Sequence, residues 1–599
     1  ASDIGNYLVS STKDAFNMMG VAKPGKVKEA YAALMREAKR VHDFGFTATE
    51  YQRAKDEFMS FVEKTYENRA KMKNEQFTTQ YVDHFISNEP IPSVEDETQI
   101  YKMVVPRLSL EMVNNAMKQL ICTTDTNLVS MVFMHEAEGA VYPTEQELAD
   151  IVKQVRSEKL EAYVDNVKQE PLMAQAPKAG KIKKTEVNKQ LGFKKLTLSN
   201  GAKVIIKKTD FKDDEIQFAA SANIGYAAYQ NASAVWGLSG LGEFSSNDLE
   251  KALAGKQCGV DFSFSTFRHG LSGTTTPKDL ETMMQLVYLN MTNVTKDQKA
   301  FDNMKNTYTT VLANKSNNPG LVYQDSVQST LYLGSKLARI PEASDIQSID
   351  YDACLEMWHQ LYSNAKDFTF YFVGNYDEKV LLPLIEQYIA SLPNQGMKIK
   401  IKNQPMPCAT GKVSNVFTKA MENPQSQARE MWFAKIPYTQ KSSVLADMAA
   451  RLLEMKYLRS IREELSAAYS AGAIYGVFFD ADNKVQVTIN GMAQLNPEKA
   501  DVAIPCFFKG MDEVIAKVDA DDLQKVKEIL LKQAGVDEKT NGYWIQTLGM
   551  FDLHKVDDYS NYKNLVKSID GAQISDFLKN VILKSGNHVE VIMKGEKNK

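Results

Sequence analysis

The chain has 599 residues, of which 44% are hydrophobic and 24% are charged, and its formal net charge is -4 at pH 7. This composition is typical of globular protein, and the length predicts about three or four domains. The small negative charge gives no electrostatic basis for binding nucleic acid, and no apolar run reaches the roughly 18 residues that span a bilayer.

The first part of the chain, residues 1–145, is predicted to be mainly helical. Apolar side chains recur at helical spacing over 27–41, and Thr47 or Thr49 can cap the helix that follows. The apolar run 128–133 predicts a strand that ends this part of the chain.

A linker is predicted at 146–190. A charged helix occupies its beginning, up to about residue 160, and is followed by Pro171 and the run 177–181. Proline, glycine and lysine without apolar periodicity are typical of an exposed connector.

The next part opens with a predicted hairpin, whose strands at 193–198 and 203–208 flank Asn200 and Gly201. This dipeptide suits a two-residue type I′ turn. A third strand is predicted at 215–222, and helices then alternate with strands.

The last part begins after a second connector, at 398–410, which contains Pro405 and Pro407. Its predicted elements are, in order, strands at 413–418 and 427–433, an amphipathic helix at 444–457 and a hairpin formed by 468–479 and 484–490.

One pattern occurs three times: a polar opening, a helix and a strand-like run. The three runs lie at 128–133, 368–373 and 588–593. Hairpin-like beginnings appear only near residues 191 and 413. A repeat of this length predicts an array of related α+β domains, and three endings with two beginnings predict that the first domain is incomplete.

The order of these elements resembles the C-terminal portion of a pitrilysin/insulinase-type (M16) zinc metallopeptidase, most distinctively at 457–470. The resemblance implies an α+β fold of repeated two-layer domains, with mostly antiparallel sheets packed against helices. It also implies a late part of domain 2 at 1–145, an inter-half linker at 146–190, domain 3 at 191–397 and domain 4 at 398–599.

The zinc site of that family is an H-x-x-E-H motif on a helix. Its two histidines share one helix face and bind zinc, while its glutamate activates the metal-bound water. No two of the seven histidines here are four positions apart: His42, His84, His135, His269, His359, His554 and His588. The motif is therefore absent, so we expect no catalytic residue and no metal in this chain. The resemblance implies zinc in the parent protein, bound by a missing N-terminal domain.

Two other stretches of the sequence bear on metal binding. A helix is predicted at 232–246, where domain 3 would carry the motif, but this stretch has no histidine and only Glu243. We interpret domain 3 as a degenerate copy without metal. His135 and Glu136 follow a predicted strand without a second suitably spaced ligand, and we interpret them as part of an exposed loop.

Arg462 and Tyr469 are the candidate functional residues. The resemblance implies that the arginine binds the peptide backbone and that the tyrosine hydroxyl positions substrate and stabilises the oxyanion. The alternative is a surface ion pair for Arg462 and a half-buried strand aromatic for Tyr469. The family usually has a glycine shortly before the tyrosine, where this chain has 466–468 (Ser-Ala-Ala), and Arg459 could substitute for Arg462.

The resemblance therefore implies the non-metal portion of a zinc endopeptidase that cleaves peptides in a closed chamber. This chain would supply chamber wall and substrate-binding residues, and would be inactive without an N-terminal catalytic half of the same parent chain. Expected substrates are peptides or unfolded proteins, and a bacterial periplasmic or envelope location is favoured. The alternative is a non-catalytic scaffold or substrate-recognition subunit. The predicted strands argue against a third possibility, a purely helical repeat protein.

Overall fold

A computed structural model describes residues 2–5, 15–23, 25–134, 141–168, 170–223, 232–265, 268–397, 399–400, 406–479 and 484–598. The chain divides into two compact units. The first comprises 1–174, 240–257 and 297–310, and the second comprises 175–239, 258–296 and 311–599.

The α-helices, numbered in chain order, are α1 Val27–Phe44, α2 Ala48–Asn68, α3 Asn74–Ser87, α4 Val94–Val104, α5 Leu110–Leu120, α6 Glu145–Ser157, α7 Ala232–Gly237, α8 Ser246–Ala252, α9 Leu280–Thr292, α10 Gln298–Ala313, α11 Pro319–Leu331, α12 Ala343–Gln347, α13 Tyr351–Tyr362, α14 Glu378–Leu384, α15 Gln440–Tyr457, α16 Ala500–Ala503, α17 Pro505–Ala516, α18 Ala520–Asp537, α19 Asn541–His554, α20 Tyr562–Ser568 and α21 Gly571–Phe577. In the described part of the chain, none of these helices is long and apolar enough to cross a membrane.

The strands are β1 Ser2–Gly5, β2 Ala15–Met18, β3 Ile182–Asn188, β4 Phe193–Leu198, β5 Lys203–Lys208, β6 Ile216–Asn223, β7 Gly240–Leu241, β8 Cys258–Phe264, β9 Arg268–Thr275, β10 Val294–Thr295, β11 Thr369–Gly374, β12 Lys412–Met421, β13 Ser426–Pro437, β14 Ala468–Phe479, β15 Lys484–Leu495 and β16 His588–Lys597.

The first unit is mainly helical, as predicted. Thr47 caps α2 in a capping box: its Oγ1 accepts from the N–H of Glu50, and the Glu50 carboxylate accepts from the N–H of Thr47. Few of its apolar side chains are buried. Among its described residues they are Ala38, Val62, Val105, Ile121, Val152, Val155, Leu241, Phe244, Phe301 and Met304.

The strand predicted at 128–133 is wrong for this structure, because the described residues 122–134 form neither helix nor strand. A strand is stabilised by hydrogen bonds to neighbouring strands, and no described strand lies beside this run. Its apolar side chains are instead exposed, including Val129 (77%), Met131 (65%) and Phe133 (89%).

The larger sheet of the second unit has seven strands in the order β3-β4-β5-β11-β6-β9-β8. Strand β11 runs parallel to β5 and antiparallel to β6. Strand β3 lies within the predicted linker, so the connector ends earlier than expected. Its residues join the sheet because Thr185–Asn188 pair in register with the predicted strand β4.

The smaller sheet has five strands in the order β12-β16-β13-β15-β14. Its closing strand, β16, is parallel to β12 and antiparallel to β13. Strand β11 has the same arrangement, because it is parallel to β5 and antiparallel to β6. Two of the three predicted endings therefore form equivalent central strands. With helices on both sheets, the predicted α+β fold of repeated two-layer domains is confirmed.

Each of the two sheets packs against a helix that belongs, in sequence, with the other sheet. Trp544 and Leu548 of α19 pack against Phe193 and Tyr371 of the seven-stranded sheet. In the opposite direction, α11 packs Val327 into a core with residues of the five-stranded sheet. Each sheet is thus covered partly by a helix from the other half of the unit. The predicted domain limits at 191–397 and 398–599 stay a prediction.

Two local predictions were wrong in extent. The helix predicted at 232–246 ends at Gly237, because glycines at 237, 240 and 242 are poor helix formers. The hairpin at Asn200 has a longer turn than predicted. Gly201, at φ 88°, donates its N–H to the Leu198 carbonyl, while the Asn200 amide donates to carbonyls of the segment 389–392.

Candidate functional site

The turn that carries Arg462 is positioned by α15. This helix begins at a cap in which Thr439 Oγ1 accepts from the Ser442 N–H at 3.0 Å. Its inner face is buried in the core of the five-stranded sheet. The helix continues into a π-helical turn, Leu458–Glu464, whose buried residue is Ile461, while Arg459 and Arg462 are exposed.

The turn ends in a left-handed residue, Ser466, with φ 47°. This conformation costs glycine little and is uncommon for other residues. The Ser466 N–H donates to the Arg462 carbonyl at 3.1 Å, and Lys499 Nζ donates to the carbonyls of Leu465 (2.9 Å) and Ser466 (3.3 Å). Ser466 therefore adopts a left-handed backbone conformation that glycine adopts more easily.

The next residue, Ala467, fixes the chain in the core. Its side chain is buried, its N–H donates to the Ile461 carbonyl at 2.9 Å, and its carbonyl accepts from the Asn496 N–H at 2.8 Å. The N–H and the carbonyl of this one residue therefore tie the π-helical turn to the residue that follows β15.

A β-bulge follows immediately. The register between β14 and β15 shifts between Ala468 and Ala471, so Tyr469 and Ser470 together face Gln494. Bulges re-aim side chains. Tyr469 is 89% exposed.

The structure brings Arg462 and Tyr469 together. The guanidinium carbon of Arg462 lies 5.5 Å from the centroid of the Tyr469 ring, a cation–π contact worth about 0.5–1 kcal/mol at an exposed site. Among the described residues, no acidic side chain forms an ion pair with Arg462. Neither the surface ion pair nor the half-buried tyrosine of the alternative interpretation describes this arrangement.

A buried titratable pair lies inside the same sheet and was missed from the sequence. Glu430 on β13 is fully buried, and its Oε2 lies 2.7 Å from Nε2 of His588 on β16. Burial raises the pKa of Glu430 to about 7. The available signal was a charged residue on a strand face whose neighbours, Ala428 and Trp432, are apolar and buried.

Within the described ranges, no three histidine, cysteine, aspartate or glutamate side chains are grouped closely enough to hold a metal ion. His135 and Glu136 lie outside the described residues, and Glu243 is exposed. The described residues therefore do not fit a zinc ion.

Comparison with known families matches residues 348–530 to the Peptidase M16 inactive domain. A relative from Arabidopsis thaliana, a zinc protease PQQL-like protein, is 23% identical over 85% of this chain and 53% of its own length. This chain spans about half the length of the curated relatives that it matches.

Two solved structures share the fold. The periplasmic protease PqqL from Escherichia coli has a TM-score of 0.63 and 19% identity over 95% of this chain and 63% of its own. A mutant of the ferredoxin protease FusC, in complex with Arabidopsis ferredoxin, has a TM-score of 0.66 and 15% identity over 96% of this chain and 64% of its own.

Proposed function

Because residues 348–530 match the Peptidase M16 inactive domain, we propose that the chain is the C-terminal, non-metal-binding portion of a zinc-dependent endopeptidase of the M16 family. Arg462 binds the backbone of the peptide substrate. The Tyr469 hydroxyl positions the substrate and stabilises the oxyanion formed when water attacks. Zinc is held by the N-terminal half of the parent protein, and the two sheets here form chamber wall.

The observation that carries this proposal is the Arg462–Tyr469 corner. Both side chains are exposed, yet the backbone between them is fixed by the buried Ala467 and by the Lys499 ammonium. A fixed donor pair facing solvent suits a role toward an external ligand, because fixed donors need little reorganisation when substrate binds.

The first unit supports an N-terminal half as partner. Its sparse burial contrasts with strongly exposed apolar side chains on α3, such as Phe85 (89%) and Ile86 (73%). Exposed apolar area of this kind marks a surface that another chain or segment covers. In both complete repeats the closing strand lies between two others. We therefore expect 128–133 to become a strand between two strands of the N-terminal half.

The substrate and location follow from the relatives. One neighbour in fold is a protease of ferredoxin and another is a periplasmic protease. We propose peptides or small unfolded proteins as substrates and a bacterial periplasmic or envelope location for the parent.

The test uses this chain mixed with the separately expressed N-terminal half of the parent protein. Tyr469→Phe should lower kcat by about 100-fold, the low end for removal of one oxyanion donor. Arg462→Met should raise KM by about tenfold through loss of one charged hydrogen bond. Arg459→Met is the matched control and should leave both constants unchanged.

Two outcomes would contradict these assignments. A larger effect of Arg459→Met than of Arg462→Met would move the substrate contact to Arg459. Binding of peptide by the mixture without any hydrolysis would favour the non-catalytic scaffold or recognition subunit.

A further inference from the structure

The two large sheets have four edges, and three of them carry charge. Edge strand β3 contains Lys183, Lys184 and Glu186, while β8 contains Asp261. The edge strand β12 contains two lysines, at positions 412 and 419. Charged residues on an edge strand discourage other chains from pairing with its free backbone groups.

Strand β14 is the exception. It is 12 residues long and has neither a charged residue nor a proline. Its one neighbour among the described strands is β15. A long, uncharged edge presents backbone donors and acceptors to any extended chain, so it persists in a soluble protein only at some risk of aggregation.

The side chains of β14 divide between two faces. Ala471 and Ala473 point into the core. On the opposite face, Ile474 is 48% exposed and Phe478 is 56% exposed, and a methyl group added at Gly472 would meet open space. An extended ligand could therefore lie along the edge and place alternate side chains on Ile474 and Phe478.

We propose that β14 is a docking strand for an extended, uncharged segment of peptide, which pairs with it through main-chain hydrogen bonds. The strand begins at Ala468, next to Tyr469, so the docked segment runs directly into the Arg462–Tyr469 corner. That the ligand is a peptide substrate rests on the proposed function. Main-chain pairing supplies affinity, and the exposed apolar face selects apolar side chains at every second position.

The experiment measures binding by this chain alone, without zinc or a partner. The probe is a fluorescein-labelled peptide of about ten residues, the length of a long strand, which alternates valine and threonine and has lysine at both ends. Ile474→Lys and Phe478→Lys should each weaken binding at least tenfold in fluorescence anisotropy. Val416→Lys, at a 51% exposed position on β12, is the matched control and should change binding less than twofold.

A second measurement needs no variant of the protein. Methylating every second amide nitrogen of the probe removes the main-chain donors on one side. This should abolish binding, whereas the unmodified probe should protect backbone amides of 472–478, and not those of 412–421, from hydrogen exchange.

Three results would overturn the proposal. The first is that Val416→Lys weakens probe binding as much as Ile474→Lys and Phe478→Lys do, and the second is that the methylated probe still binds. The third is that the wild-type chain sediments as a dimer, which Ile474→Lys dissociates, while the probe does not bind. The last result would assign the edge to pairing between two copies of this chain. Failure of the proposed function is distinguishable, because hydrolysis in the two-part mixture can be absent while the chain alone still binds the probe at β14.

Discussion

The buried pair Glu430–His588 predicts a pH dependence that can be worked out from the structure. Burial raises the pKa of Glu430 from 4.5 to about 7. One pKa unit is about 1.4 kcal/mol, so the shift corresponds to about 3 kcal/mol. The folded state holds this proton more tightly than the unfolded state does. The stability contribution is therefore fully present below pH 4.5 and is lost as pH rises through about 7.

The perturbation is Glu430→Gln, which keeps a polar group beside His588 and removes the titration. The free energy of opening of β13 and β16 is measured by hydrogen exchange with mass spectrometry, at pH values from 4.5 to 8. The wild-type value minus the variant value should fall by about 3 kcal/mol across this range. Glu422→Gln, at an exposed position, is the control and should give a difference that does not vary with pH. A constant difference for Glu430→Gln would refute the reasoning.

Two further predictions concern the fold around the site and the first unit. Ser466→Val should destabilise the protein by roughly 1–3 kcal/mol because a β-branched residue resists a positive φ. Ser466→Gly should change stability by less than about 1 kcal/mol. Thermal unfolding measures both variants, and equal effects would contradict the strained backbone geometry at Ser466. Asp165, whose side chain is 1% exposed, accepts hydrogen bonds from Arg53 at 2.6 Å and Lys251 at 2.8 Å, which hold its pKa well below the usual range. Asp165→Ala removes the carboxylate that pairs these cations and should lower the free energy of unfolding by roughly 3 kcal/mol. It should also speed limited proteolysis of the segment 158–168, whereas Asp150→Ala, at an exposed position, should leave the proteolysis rate unchanged. Equal proteolysis rates for the two variants would contradict the anchoring role of Asp165.

The repeated domains were predictable because their strands alternate with a period of two and their closing runs are strongly apolar. The same reasoning failed at 128–133. This run has strand composition, but a strand also needs partners, and its own sequence carries no information about them. At 182–188 the opposite happened: a run with five polar or charged side chains became a strand because β4 was available beside it.

The candidate site was partly predictable. The spacing of Arg462 and Tyr469 came with the family resemblance, and the absent glycine directed attention to 466–468. The left-handed Ser466 and the bulge depend on contacts with Asn496 and Lys499, about thirty residues away, so no local pattern indicated them. The partner of Glu430 lies on a strand 158 residues later in the chain.

Zinc-dependent hydrolysis by the separated parts tests the central claim most directly. Purified chain, its N-terminal partner half and their equimolar mixture are each assayed with a quenched fluorescent peptide, and the zinc content of each is measured. The account predicts no zinc and no hydrolysis for this chain alone, and hydrolysis by the mixture that a chelator abolishes. Zinc-dependent cleavage by this chain alone would contradict it.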